Sequence, residues 1–453
     1  MTLPNYFMAD LPPEAEISAS MIDDACLTLK RNREQYLANR STQSLLERLG
    51  EIAGNWLQPD YSFRKLALER SPKDTGFSPA TLASGLDSFF SQLTPENLNA
   101  LLVQELGHAE RLDRFVSTPV EQRSGRSAMA VGPPLLVHVT AGNLPVPALM
   151  SLVLGVIVRS AQFLKCASGA SLLPRLFAHS LYQLDPKLAA CLEIAEWRGG
   201  HGGLEQPLFE HADCVIATGT DDTIFQIRRN LPTQARFVAY GHRVSFGFIT
   251  RDLLTSYRAK EVAPKAASDV AAWNQLGCLS PHVFYVEHGG SVTPEQFAEM
   301  LAAQLALREE TEPRGPIPAE DAAAIASRRG FYELRAASSP DTHLWQSDRS
   351  TAWTVVYEAD PAFQLSCLNR FVYVKPVRNL SEALHAGETV RGKVSTVAIA
   401  APENRAQEIA ITLARWGATR ICPIGQMQQP SLLWRHDGRP SLGEWVGWID
   451  CER

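Results

Sequence analysis

What this chain of 453 residues lacks narrows its chemistry. No two of its eight cysteines (26, 166, 191, 214, 278, 367, 422 and 451) have Cys-x-x-Cys spacing, and none stands at metal-ligand spacing from a histidine. A disulfide framework and a bound metal are therefore not expected, and the cysteines read as reduced thiols. Basic clusters do not exceed pairs such as Arg228-Arg229 and Arg328-Arg329, and the net charge of -6 is spread without blocks of one sign. The electrostatic footprint of a nucleic-acid binder is missing. The most apolar stretch, Leu135 to Val158, is interrupted by Gly142, Asn143, Pro145 and Pro147, which argues against a membrane span. Repeats of solenoid period and low-complexity tracts are absent. Met1 to Asp10 has neither a basic start nor a long apolar run, so no secretory or transit signal is read there and the expected location is the cytoplasm.

What is present is a globular composition, 45% hydrophobic and 20% charged, in a chain long enough for two or three domains. The first hundred residues read as helices. Leu45, Leu46, Leu49, Ile52, Ala53, Trp56 and Leu57 form one apolar stripe with Ser44 and Glu47 as its capping box. Ser78-Pro79 and Thr94-Pro95 read as further N-caps, and Gly107 as a helix end. From Leu135 short apolar runs alternate with helix-length segments: strands at 135–139, 161–165, 192–197, 214–218 and 236–240, helices at 146–158 and 174–183. A second series follows Cys278, with strands at 283–287, 395–400 and 419–422, a helix at 294–308, and a helix carrying Ile409, Leu413 and Trp416 closed by Gly417. Such alternation implies two parallel sheets wound by right-handed crossovers, with ligands expected at the carboxyl ends of strands.

Four short segments carry candidate chemistry. Thr140-Ala-Gly-Asn143-Leu-Pro145 lies between a strand and a helix, where the Asn143 amide can donate to a developing oxyanion; the same residues also suit an ordinary turn. Lys165-Cys-Ala-Ser168 ends the next strand, where a lysine can reach a dinucleotide's ribose or phosphate, although many lysines end strands for solubility alone. Thr218-Gly219-Thr220 precedes a helix and would let a phosphate approach backbone N–H groups, but it is not a Gly-x-Gly-x-x-Gly fingerprint. Cys278, within Asn274-Gln-Leu-Gly-Cys-Leu-Ser-Pro281, reads as a nucleophile exposed at the head of a helix, with a small buried thiol as the plainer alternative.

In this order the four segments resemble the aldehyde dehydrogenase superfamily. Its acyl-CoA reductase branch, the LuxC family, whose founding members supply fatty aldehyde to bacterial luciferase, is the closer likeness. That likeness rests on 138–145, 239–246, 274–281, Phe371-Val-Tyr-Val-Lys-Pro376 and 417–425, and so covers the chain from about residue 130 to its end. The resemblance implies an α/β, aldehyde dehydrogenase-like fold: two Rossmann-like parallel-sheet domains, a helical N-terminal lead-in and a small oligomerisation or bridging element. The expected division is 1–117 with 135–242 for nucleotide, 243–430 for catalysis, and 118–134 with 431–453 for bridging, the last two pairing between subunits of a homo-oligomer.

The implied reaction is NADPH-dependent reduction of an acyl thioester to the aldehyde. Cys278 would attack the carbonyl of an acyl-CoA or acyl-carrier protein, CoA being the leaving group in the first case. Asn143 and the Cys278 N–H would hold the oxyanion, and Thr140, Lys165, Ser168, Gly219 and Thr220 would bind cofactor. Where aldehyde-oxidising relatives carry a water-activating glutamate this chain has Ala239, which protects the thioester from hydrolysis. Where NAD-preferring relatives place a ribose-binding glutamate it has Ser168, which favours NADPH and leaves NADH possible. His242 and His282 are candidates for proton transfer, each with a structural role as the plainer alternative. Arg198-Gly-Gly-His-Gly-Gly203 would either close over the cofactor or be a plain surface loop. The same residues also suit a CoA-acylating dehydrogenase running oxidatively, or a non-catalytic member that binds a carrier protein. A partner enzyme that supplies the acyl group or takes up the aldehyde fits either direction.

Overall fold

The computed structural model describes residues 3–12 and 14–452, which divide into two compact units. The first comprises residues up to Thr75, Leu82–Gly241 and Ser431 onward; the second comprises Gly76–Thr81 and His242–Pro430.

The first unit opens with helices, including Ala19–Tyr36, Thr42–Leu57 and Pro95–Leu106. The stripe helix is capped one turn earlier than its sequence suggests. Ser41 Oγ accepts from Ser44 N, because the helix already starts at Thr42. Thr94 caps the last of these helices and Gly107 ends it at φ +76. Then come β1 (Arg126–Val131), β2 (Leu135–Val139), β3 (Ala161–Cys166), β4 (Leu192–Glu196), β5 (Cys214–Thr218) and β6 (Arg236–Tyr240). Strands β2 to β6 form a parallel five-stranded sheet in the order β4-β3-β2-β5-β6, buried under helices on both faces, as continuous apolar runs require. Strand β1 pairs antiparallel with Gly447–Glu452. The two segments assigned to bridging are therefore paired with each other within the chain.

Beneath β2 lies a small polar core. His138, 1% exposed, shares a hydrogen bond of 3.0 Å with Gln162 Oε1, and Gln162 Nε2 donates to Leu152 O at 3.0 Å. Gly155 makes this possible, since a Cβ there would lie 2.2 Å from the Gln162 carboxamide. Burial pulls His138 down to about 4 from 6.5. Between those values the unfolded chain binds the extra proton, so this group's contribution to stability is lost as pH falls from 6.5 to 4, by about 3 kcal/mol. Buried Glu193 in the same unit, raised to about 7, acts in the opposite sense over much of that range. The expected result is therefore differential: His138→Gln gains stability relative to the parent as pH drops through that window. Parallel denaturation curves at pH 7 and pH 4 would refute it.

The second unit contains β7 (Val244–Ile249), β8 (Pro281–Glu287), β9 (Thr342–Gln346), β10 (Thr354–Glu358), β11 (Phe371–Val377), β12 (Val394–Ala400) and β13 (Arg420–Pro423). The sheet order is β13-β12-β7-β8-β11-β10-β9, parallel except for β9 at the edge. Helix Arg258–Ala271 links β7 to β8, and helices Pro294–Thr311, Ala319–Ser338 and Glu403–Trp416 cover the faces. Helix Glu403–Trp416 ends at Gly417, φ +119, as its sequence implies. Neither β7 nor the helices at 258–271 and 319–338 were read from the sequence. No described helix is long and apolar enough to cross a membrane.

Candidate active site

In the first unit the sheet order reverses between β2 and β5, the crevice position where doubly wound folds bind ligands. Thr140 follows β2 and is tied to β3, its N–H donating to Lys165 O at 3.1 Å. Asn143 lies exposed in the loop leading to helix Val146–Ile157. Lys165 is the last residue but one of β3 and is 4% exposed, with its ammonium 5.8 Å from the Trp197 ring centroid. Burial pulls Lys165 below the ordinary lysine range, with Glu205 and Glu196 opposing. Among the described residues that ammonium has no hydrogen bond or ion pair of its own. A largely buried ammonium at a strand's carboxyl end suits the hydroxyls and phosphates of a dinucleotide.

Ser168 is exposed in a turn closed by Ala170 N to Ala167 O, and Gly169 N donates to Glu196 Oε1 at 2.7 Å. Glu196, Trp197 and Glu205 were missed in the sequence. The signal was available, since Glu196 ends a strand and a pair of glycines begins three residues later. The Arg198–Gly203 run is only partly loop, because its last two glycines open helix Gly202–His211. A groove of about 440 Å³ along that helix meets the cofactor set through Glu205 alone.

Gly219 N donates to Tyr240 O at 3.1 Å, and Thr220 Oγ1 accepts from Thr223 N as the cap of helix Asp221–Asn230. Asp221 and Asp222 occupy that helix's first turn, where they oppose an anion.

In the second unit Cys278 does not head a helix. It sits in a turn closed by Ser280 N to Gly277 O at 3.0 Å, immediately before β8, at the amino rather than the carboxyl edge of the sheet. Pro281 begins the strand there. Ahead of the turn, Trp273, Asn274 and Gln275 are all left-handed, at φ of 52, 50 and 64. Such a run costs about 1–2 kcal/mol per residue and persists only when fixed from outside. Asn274 Nδ2 donates to Arg314 O at 2.7 Å, and Gln275 Nε2 donates to Pro281 O and Phe371 O at 2.7 and 2.8 Å. The polar Asn-Gln pair therefore builds the support of the Cys278 turn.

Five of the eight cysteines (26, 166, 191, 214 and 422) are buried and pushed up to about 12 by desolvation, hence inert; Cys278 is partly exposed. His282, 6% exposed, takes Ser366 N on Nδ1 at 3.0 Å and is lowered to about 4 by burial, which makes it a neutral structural group. His242 is exposed and couples electrostatically to His282.

The family model described as "Acyl-CoA reductase (LuxC)" matches residues 37–448. The chain belongs to the LuxC family. It is 24% identical over 413 residues to a long-chain acyl-protein thioester reductase of Photorhabdus laumondii, covering 89% of this chain and 80% of the relative. It is 21% identical to the protein of that name from Vibrio harveyi, covering 97% and 88%. Among solved structures, an indole-3-acetaldehyde dehydrogenase complexed with NAD+ superposes with TM-score 0.73 at 13% identity, covering 96% of this chain and 89% of that one. Bifunctional proline utilization A superposes at 0.74 and 15% identity; the match covers 98% of this LuxC-family chain but 46% of that larger protein. The fold is that of the aldehyde dehydrogenases.

Proposed function

We propose that this LuxC-family enzyme reduces a long-chain acyl thioester to the aldehyde through an acyl-Cys278 intermediate, with NADPH as reductant. The carrying observation is a partly exposed Cys278 on a rigidly braced turn while the buried cysteines are held protonated. The Cys278 thiolate adds to the thioester carbonyl, and the tetrahedral centre expels the CoA or carrier thiolate, which takes up a proton. Asn143 is assigned the oxyanion-facing amide on the strength of the family resemblance. A nicotinamide, when bound, supplies hydride to the acyl carbon. Cys278 then leaves the resulting hemithioacetal as thiolate, the hydroxyl proton is lost, and aldehyde is released. At the position of the water-activating glutamate stands Ala239 in β6, whose carbonyl accepts from Arg439 at 2.9 Å. Its methyl side chain cannot activate water, which suits a thioester that must outlast hydrolysis.

The relatives' names favour a protein-borne acyl group. The test is NADPH consumption with acyl-CoAs and acyl-carrier proteins of graded chain length. Aldehyde formation from long-chain thioesters supports the reading; cofactor binding with no turnover of any thioester would sink it.

Lys165 and Thr140 are proposed to hold the cofactor's ribose, with Ser168 leaving room for a 2′-phosphate. Glu196, fixed on the same turn, puts a carboxylate beside that room and should tax the phosphate. Glu196→Gln keeps the acceptor for Gly169 N but removes the charge. Its expected effect, by calorimetric titration, is about tenfold tighter NADP+ relative to NAD+. An equal change for both cofactors would leave Glu196 a purely structural role.

A further inference from the structure

With no helix at its head, Cys278 needs another source of positive potential to be a thiolate near neutral pH. One is built into the amino edge of the same sheet. Across β13, β12 and β7 the register aligns Arg420, Thr396 and Ser245 in one row, and β8 begins at Pro281 beside Ser245. Ser245, fully buried, donates from Oγ to Cys278 O at 2.7 Å and accepts from Thr396 N at 3.0 Å. The Arg420 guanidinium reaches Thr396 Oγ1 at 3.5 Å and donates to Met427 O and Gln426 O, both at 2.7 Å. Gln428, next in that turn, donates to Ser280 Oγ at 2.8 Å, two residues beyond the sulfur. Asp269, 1% exposed, closes the assembly by accepting from Gly425 N at 2.6 Å and Met427 N at 2.9 Å. The nucleophile turn and the 425–428 turn are thereby locked together, with a guanidinium braced between them.

We propose that Arg420 is the positioning residue that holds Cys278 as a thiolate, its head fixed by the 425–428 turn. The proton lost by the thiol passes to solvent. The electrostatics agree, since Arg420, lowered by burial, is coupled to Cys422, Asp269 and Cys278 in that order. Two further cations stand near the 425–428 turn: Lys265, whose side-chain stem packs against Gly425, and Arg308, which acts on Asp269 and is paired with Glu312. His282 on β8 is held neutral by burial. Asp269 on helix Arg258–Ala271 is raised to about 7 by burial, and Cys422 on β13 is pushed up to about 12. His242 precedes β7 and couples to His282.

The inference rests on Cys278 being the nucleophile, and its test reads the sulfur without needing turnover. Full-length protein is alkylated with iodoacetamide across pH, and modification of the Cys278 peptide is followed by mass spectrometry. In Arg420→Gln, which keeps amide donors for the two carbonyls, the midpoint of the profile is expected to rise by about one unit, a tenfold slower reaction below the midpoint. Arg420→Lys should stay near the parent. Arg420→Met replaces the glutamine variant if circular dichroism shows that one misfolded. A neutral variant with the parent's midpoint overturns the proposal, as does a lysine variant that shifts as far as the neutral one. If Cys278→Ala keeps reductase activity while Arg420→Gln shifts the profile, the functional reading fails and the role of Arg420 stands.

Discussion

Cys278→Ala is expected to reduce thioester-dependent oxidation of NADPH by roughly 10⁴-fold or more, the scale on which loss of a covalent nucleophile is felt. The partly exposed side chain is small, and the turn is held through backbone and neighbouring groups: Ser245 on the Cys278 carbonyl, Gln275 on Pro281, and Gln428 on Ser280. Folding and cofactor affinity should therefore be unchanged, and the loss should fall on turnover rather than on binding. The acyl-enzyme supplies a second readout. Incubation with radiolabelled long-chain thioester in the absence of reductant should label the parent protein on one cysteine and leave the alanine variant unlabelled. Residual activity within tenfold of the parent would show that hydride reaches the thioester directly.

The largest structural effect is expected at Glu358 in the second unit. Lys375 on β11 is fully buried, and its ammonium lies 2.9 Å from Glu358 Oε2 on the adjacent β10 and 2.7 Å from Asp360 O. The other Glu358 oxygen is ion-paired with Arg335 at 2.5 Å, without a hydrogen bond between them. Burial drives Lys375 below the usual lysine range, and the Glu358 carboxylate is the main influence holding it charged. Glu358→Ala leaves that ammonium in the core with a single carbonyl. The expected loss is about 3–5 kcal/mol, the cost of orphaning one partner of a buried pair. Replacing both charges, as Glu358→Leu with Lys375→Met, should recover most of the loss, because an apolar pair of similar volume costs little where both charges are removed together. Arg335 is 40% exposed on its side chain and can return to solvent. Guanidinium unfolding of the two variants decides it; a single variant within 1 kcal/mol of the parent, or a double variant no better than the single, would mean the pair is incidental.

Lys375 also marks how far the sequence can be read. Phe371-Val-Tyr-Val-Lys-Pro376 carries family likeness, yet nothing local says that its lysine is a core residue. The partner that neutralises it lies 17 positions upstream and is found only when β10 and β11 lie side by side. The same holds for Arg420, which in the chain is a basic residue opening a short strand. Its meaning comes from a row across three strands whose members are 151 and 24 positions apart. Glu196 was missed because its relation to Ser168 runs through the amide of a neighbouring turn.

The sequence alone determined the alternation of strands and helices from Leu135 onward, the helix ends at Gly107 and Gly417, and the candidate nucleophile and cofactor lysine. The alternation and the helix ends follow from short-range physics, namely periodic burial, capping, and glycine's access to left-handed backbone, while the nucleophile and the lysine take their roles from the family resemblance. Tertiary structure decided that Cys278 stands in a braced turn at the amino edge of its sheet, that Gly219 spends its amide on Tyr240, and that buried charges find their partners. Those outcomes depend on strand order and register, which bring together groups that no local pattern connects.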